Sequence, residues 1–112
     1  MHTCRVNFDD LPWTSPAPGV RYKVYTHGDR QLRLVEFAEG FTEPDWCTRA
    51  HLGYVLAGTG QLQLPHETIL LGPGDGIFLP PGQPWKHKLT VTAGPVRVVL
   101  MEDVPPSTRP VP

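Results

Sequence analysis

Tyr54-Val55-Leu56-Ala57-Gly58-Thr59-Gly60-Gln61-Leu62-Gln63-Leu64 decides the fold class. A short apolar run, a glycine-bearing turn and an alternating run follow one another. Alternation of Leu62 and Leu64 with Gln61 and Gln63 puts the apolar side chains on one face of a half-buried strand. The same period of two recurs outward along the chain. Val20, Tyr22 and Val24 alternate with Arg21, Lys23 and Tyr25. Leu32, Leu34 and Glu36 alternate with Arg33, Val35 and Phe37. Val96, Val98 and Leu100 alternate with Arg97, Val99 and Met101. Turn-forming clusters separate these runs, among them His27-Gly28-Asp29, Pro65-His66-Glu67, Gly72 to Gly76, Pro80-Pro81-Gly82 and Ala93-Gly94-Pro95. No segment has a helical period. The pattern predicts about eight or nine short strands, and hence an all-β barrel or jelly-roll sandwich.

Composition supports this. There are 14 prolines and 11 glycines among 112 residues, and proline breaks helix interiors by removing a donor and clashing with the preceding turn. A hydrophobic content of 39% is enough for a core and excludes a disordered chain. The length fits one domain, placed at 4–103. A Pro-rich tail over 104–112 and the leading Met1 to Thr3 are expected to be loose.

Ten basic against eleven acidic residues leave a net charge of −1. The basic residues are scattered, which argues against nucleic-acid binding. The apolar runs Tyr54 to Ala57 and Val98 to Met101 fall far short of the ~20 residues a membrane span needs. The first residues carry no apolar export segment, and Cys4 and Cys47 are expected as free thiols. The protein is therefore expected to be soluble and cytoplasmic.

Two stretches resemble the cupin superfamily. The first runs from Gly40 through His51-Leu52-Gly53-Tyr54-Val55-Leu56-Ala57-Gly58-Thr59-Gly60. The second is Gly74-Asp75-Gly76-Ile77-Phe78-Leu79-Pro80-Pro81-Gly82-Gln83-Pro84-Trp85-Lys86-His87. They are similar to the cupin motifs G-x5-H-x-H-x3,4-E-x6-G and G-x5-P-x-G-x2-H-x3-N. The resemblance implies a double-stranded β-helix, or jelly-roll barrel, like that of small single-domain bacterial cupins. The ligand positions depart from the motif. His51 stands where the family has its metal-binding Glu. Cys47 and Asp45 stand at the two His positions of the first motif, Trp85 at the His of the second, and Leu89 at its Asn.

Alternation along a regular strand would put Asp45, Cys47, Arg49, His51 and Gly53 on one face, and Trp85, His87 and Leu89 on another. In a cupin both faces point into the barrel. Cys47, His51 and His87 then form a plausible zinc set, a thiolate with two imidazoles and one open position. Asp45 with the two histidines would instead suit non-haem iron. Each residue also has a plainer reading. Cys47 can be a small core hydrophobe, His51 a satisfied polar core group and His87 a hydrogen-bonded rim residue. Trp85 can line or plug the cavity, and Asp45 can cap a turn after Pro44. Arg49, if inward, needs an acidic partner or an anionic ligand. A bulge would turn it outward. Glu36 and Glu102 both alternate with apolar neighbours, and either can enter the barrel.

The expected function is binding of a small molecule, with a non-standard divalent metal site (Zn, Fe, Ni or Mn) at Cys47, His51 and His87. The alternative is a metal-dependent enzyme of oxygenase or isomerase type acting on a small polar metabolite. A homodimer is expected, with Arg5 to Phe8 and Trp13 available to pack on a partner.

Overall fold

The structure is a computed structural model and describes residues 4–104. Seven strands carry it: β1 (Thr14–Ala17), β2 (Val20–His27), β3 (Arg30–Phe37), β4 (His51–Gln63), β5 (Thr68–Leu71), β6 (Gly76–Leu79) and β7 (Lys88–Asp103). The only helical pieces among the described residues are two 3-10 turns, Phe8–Asp10 and Gln83–Trp85. Every strand pairing is antiparallel, in the order β1-β2-β3-β7-β4-β5, with β6 also on β4. This is the expected jelly-roll barrel.

Fewer strands form than the turn signals predicted, because two of those signals lie inside strands. Gly58-Thr59-Gly60 bends β4 and Ala93-Gly94-Pro95 bends β7. The β4–β7 register shifts between Val55 and Gly60. Each long strand therefore serves both layers of the barrel. The first half of β4 lies between β6 and the end of β7. Its second half lies between β5 and the start of β7. Such irregularities raise local twist and let a sheet fold over on itself.

The alternation predicted for β7 is observed. Leu89, Val91, Val96, Val98, Leu100 and Glu102 are buried, while Arg97, Met101 and Asp103 are exposed. Val35, Val98 and Leu100 pack with Val20, Tyr22, Phe37 and Ile77. Leu62, Leu64 and Leu79 form a second cluster with Leu71 and Ile77. Val104, expected to begin the loose tail, is instead buried, and its N–H donates to the Asp29 carbonyl at 2.8 Å. The rest of that tail and Met1 to Thr3 lie outside the described residues.

Trp13 finds partners within its own chain. The Arg21 guanidinium lies 4.0 Å from its ring centroid and the Lys23 ammonium 5.0 Å, a cation–π arrangement that covers the indole. Both described cysteines are free thiols. No helix among the described residues is long and apolar enough to cross a membrane.

Candidate functional site

The segment between β3 and β4 returns along the start of β7. Cys47 and His87 bridge it, the Cys47 N–H donating to the His87 carbonyl at 2.9 Å and the His87 N–H to the Cys47 carbonyl at 3.0 Å. His51 opens β4 one short loop later. These two constraints bring Cys47, His51 and His87 together, with one ligand atom of each within 4.8 Å of the others. Cys47 Sγ lies 3.5 Å from His51 Nε2. The two imidazoles meet edge to face, with centroids 5.1 Å apart.

The histidines are oriented from behind. His87 Nδ1 lies 3.0 Å from the Trp85 carbonyl oxygen, which can only accept, so Nδ1 carries the proton and Nε2 the lone pair. That Nε2 is buried and has no hydrogen-bond partner among the described residues. His51 Nδ1 lies 2.6 Å from Glu102 Oε2, which fixes the orientation of the ring and turns its Nε2 toward Cys47. A carboxylate behind a histidine is the usual support for a metal-ligating imidazole. Glu102 is itself buried and held by Arg33, at 2.5 Å from Nε and 2.8 Å from Nη2, and by Gln31 at 3.0 Å.

Charge follows geometry. Burial opposes ionisation of Cys47, but the hydrogen bond with His51, the neighbouring His87 imidazole and the Arg49 backbone outweigh it and lower the thiol to about 5. Burial likewise opposes a charged His51. Contact with Cys47 and Glu102 outweighs that and raises it to about 9. Burial disfavours an ionised Glu102, yet His51, Arg33 and Gln31 hold it well below the usual carboxylate range. The metal-free centre is therefore a thiolate–imidazolium pair at neutral pH. Iodoacetamide should alkylate Cys47 with a rate midpoint near pH 5 in metal-free protein. A midpoint near the ordinary thiol value of ~8.5 would refute this charge state.

Cys47, His51 and Arg49 line a cavity of about 300 Å³ inside the barrel. Arg49 thus faces the cavity, and His87 is buried beside it. Three expected pocket residues are not on the cavity wall: His87, which still joins the cluster with Cys47 and His51, and Asp45 and Trp85, which do not. Asp45 is exposed and absent from the cavity wall, because the chain bends at Pro44–Asp45 and breaks the alternation. The set of Asp45 with two histidines is therefore not assembled. Trp85 is 44% exposed and does not plug the cavity. Trp85 closes the 3-10 turn Gln83–Trp85, which breaks the strand alternation there, and His87, two positions on and bridged to Cys47, reaches the centre in its place.

Sequence reasoning missed Glu43. It lines the cavity, and its Oε1 accepts the Leu89 N–H at 3.0 Å. Burial raises its carboxyl above the ordinary value, partly offset by that hydrogen bond. Its even spacing from Cys47 was the available signal. Arg33 and Tyr22 also line the cavity from β3 and β2.

A small antiparallel jelly-roll barrel with a cluster of one thiol and two imidazoles beside its cavity defines the class of protein by its fold. The cupin-domain family model (Cupin_2) matches residues 33–102, more than half of the chain, and the protein belongs to the cupin family. Among curated proteins none matches the sequence. KdgF from Halomonas sp. is similar in structure at 24% identity and TM-score 0.73, over 88% of this chain and 93% of that one. The polyketide cyclase RemF from Streptomyces resistomycificus is similar at 24% identity and TM-score 0.76, over 98% and 83%. An RmlC-like cupin from Shewanella frigidimarina NCIMB 400 is similar at 13% identity and TM-score 0.76, over 95% and 96%. At these identities the likeness is one of fold.

Proposed function

We propose that this cupin binds a small molecule in its barrel beside a divalent metal held by Cys47, His51 and His87. The observation that carries the proposal is the buried, unpartnered Nε2 of His87 beside a thiolate and a second imidazole whose Nδ1 lies 2.6 Å from the Glu102 carboxylate. An orphaned buried acceptor is costly, and a metal would satisfy it. A thiolate with two imidazoles, His51 releasing its proton as the metal binds, suits zinc first, then iron or nickel, and manganese least. Such an ion, with a coordination position open to the cavity, would act as a Lewis acid on a bound oxygen. Glu102 orients His51 and the Trp85 carbonyl orients His87.

Elemental analysis of tag-free protein tests this. About one equivalent of metal is expected after dialysis against zinc, with affinity at least about tenfold lower in Cys47→Ser, His51→Ala and His87→Ala. A wild-type protein that retains no metal after that dialysis would sink the metal site.

One observation favours the second reading, an enzyme. Glu43 is a carboxyl on the cavity wall, and burial raises it above the ordinary carboxylate value, the direction that suits a proton donor. In that reading the metal polarises the substrate and Glu43 moves its proton.

A further inference from the structure

We infer that the barrel takes a small carboxylic acid with an apolar, ring-sized body, its carboxylate between Arg49 and the Cys47–His51–His87 centre. This rests on the metal-binding reading above and adds the class of ligand.

The first argument is the wall. Away from the centre the cavity is bounded by aliphatic and aromatic side chains, including Val35, Phe41, Val55, Leu62, Ile77 and Val98. A polyhydroxylated ligand needs partners around its whole perimeter, and each hydroxyl buried without one carries its desolvation cost. Apart from Arg33 on β3 and Tyr22 on β2, the polar residues of this wall, Glu43, Cys47, Arg49 and His51, come from the segment before β4 and the start of that strand. A ligand with one polar end and one apolar end satisfies both parts. The volume of about 300 Å³ lies at the lower end of small-molecule sites, which limits the body to one or two rings.

The second argument is the charge. Arg33 is committed, since both its Nε and its Nη2 bond to Glu102. Arg49 is not. Its Nη2 lies 3.4 Å from the Asp103 carbonyl oxygen and 3.9 Å from Glu102 Oε1, both long for a guanidinium. It therefore brings largely unused donors to the cavity wall, in a geometry suited to a carboxylate. A divalent metal on one thiolate and two neutral imidazoles would add a further net positive charge at the same end.

Isothermal titration of zinc-loaded protein with three probes tests this, with zinc content measured in every sample. 2-Naphthoate is the full match, 2-naphthylmethanol lacks the charge, and glucuronate keeps the charge on a polar body. Naphthoate should bind at least about tenfold more tightly than either. Arg49→Gln should weaken naphthoate about tenfold and leave naphthylmethanol unchanged. Glucuronate binding as tightly as naphthoate would overturn the apolar body. Naphthylmethanol equal to naphthoate, or an Arg49→Gln variant equal to wild type, would overturn the anionic head. Failure of every probe in protein with stoichiometric zinc would overturn the inference and leave the metal site standing. Absence of zinc would remove the metal site, and the same comparisons on the metal-free chain would still decide the ligand class.

Discussion

Glu102→Ala is expected to lower the free energy of unfolding by about 3–5 kcal/mol, the usual loss when one partner of a buried ion pair is removed. The Glu102 side chain is 1% exposed and serves Arg33, Gln31 and His51 at once. Arg33 is only 17% exposed, so its guanidinium would be left without its acceptor and without enough water to replace it. Against a typical total of about 5–15 kcal/mol, such a loss brings the chain close to unfolding at physiological temperature. Urea denaturation of metal-free protein measures it. A loss below about 1 kcal/mol would mean that the Arg33–Glu102 pair is solvated and not part of the core. Glu102→Gln, which keeps the shape and can still accept from Arg33, should lose less.

The same network fixes the sign of the acid response. Glu102 is held well below the usual carboxylate range, so its contribution is complete above its unfolded value of ~4.3 and is lost as pH falls toward the folded one. The stability gap between wild type and Glu102→Ala should therefore narrow on acidification. His51 behaves in the opposite sense. Its pKa is raised to about 9, so its contribution is complete below ~6.5 and is lost as pH rises through about 9.

The alternating pattern exposed most of the barrel, because antiparallel strands with one face in the core must alternate. Val96, Val98 and Leu100 sit inside as read. What alternation could not carry was any place where the chain stops being regular. Asp45 and Cys47 share a parity, but the bend at Pro44–Asp45 turns the first outward and leaves the second facing the cavity. Trp85 and His87 share a parity too, but Trp85 belongs to the 3-10 turn Gln83–Trp85 and His87 lies beyond it. Glu102 was legible only as one of two candidates. Its role depends on Arg33 and His51, which lie far away in sequence and meet it only through the β3–β7 and β4–β7 pairings. Glu36, the other candidate, is held on the opposite face of β3 by Arg21 and Arg97.

Gly58→Ala is expected to destabilise the protein by about 2–5 kcal/mol, and a second glycine separates the causes. Gly58 has a positive φ of 78°, and so does Gly40. A left-handed backbone costs any other residue roughly 1–2 kcal/mol, and both alanine variants bear that cost. Only Gly58 lies in a close crossing. The β4–β7 register runs from Ala57 opposite Arg97 to Thr59 opposite Ala93, so the intervening β7 residues bulge against Gly58. A Cβ there would collide with the Pro95 carbonyl oxygen and come within 2.7 Å of Val96 Cα. Both are backbone atoms that cannot rotate away, and overpacking of this kind adds about 1–3 kcal/mol. At Gly40 a Cβ meets nothing within 4 Å. Chemical denaturation of the two variants should therefore rank Gly58→Ala well below Gly40→Ala. Equal losses would mean that the strands have room to part at this bend. The test bears on function as well, since Gly58 lines the cavity and any parting of β4 from β7 would change the space in which a ligand sits.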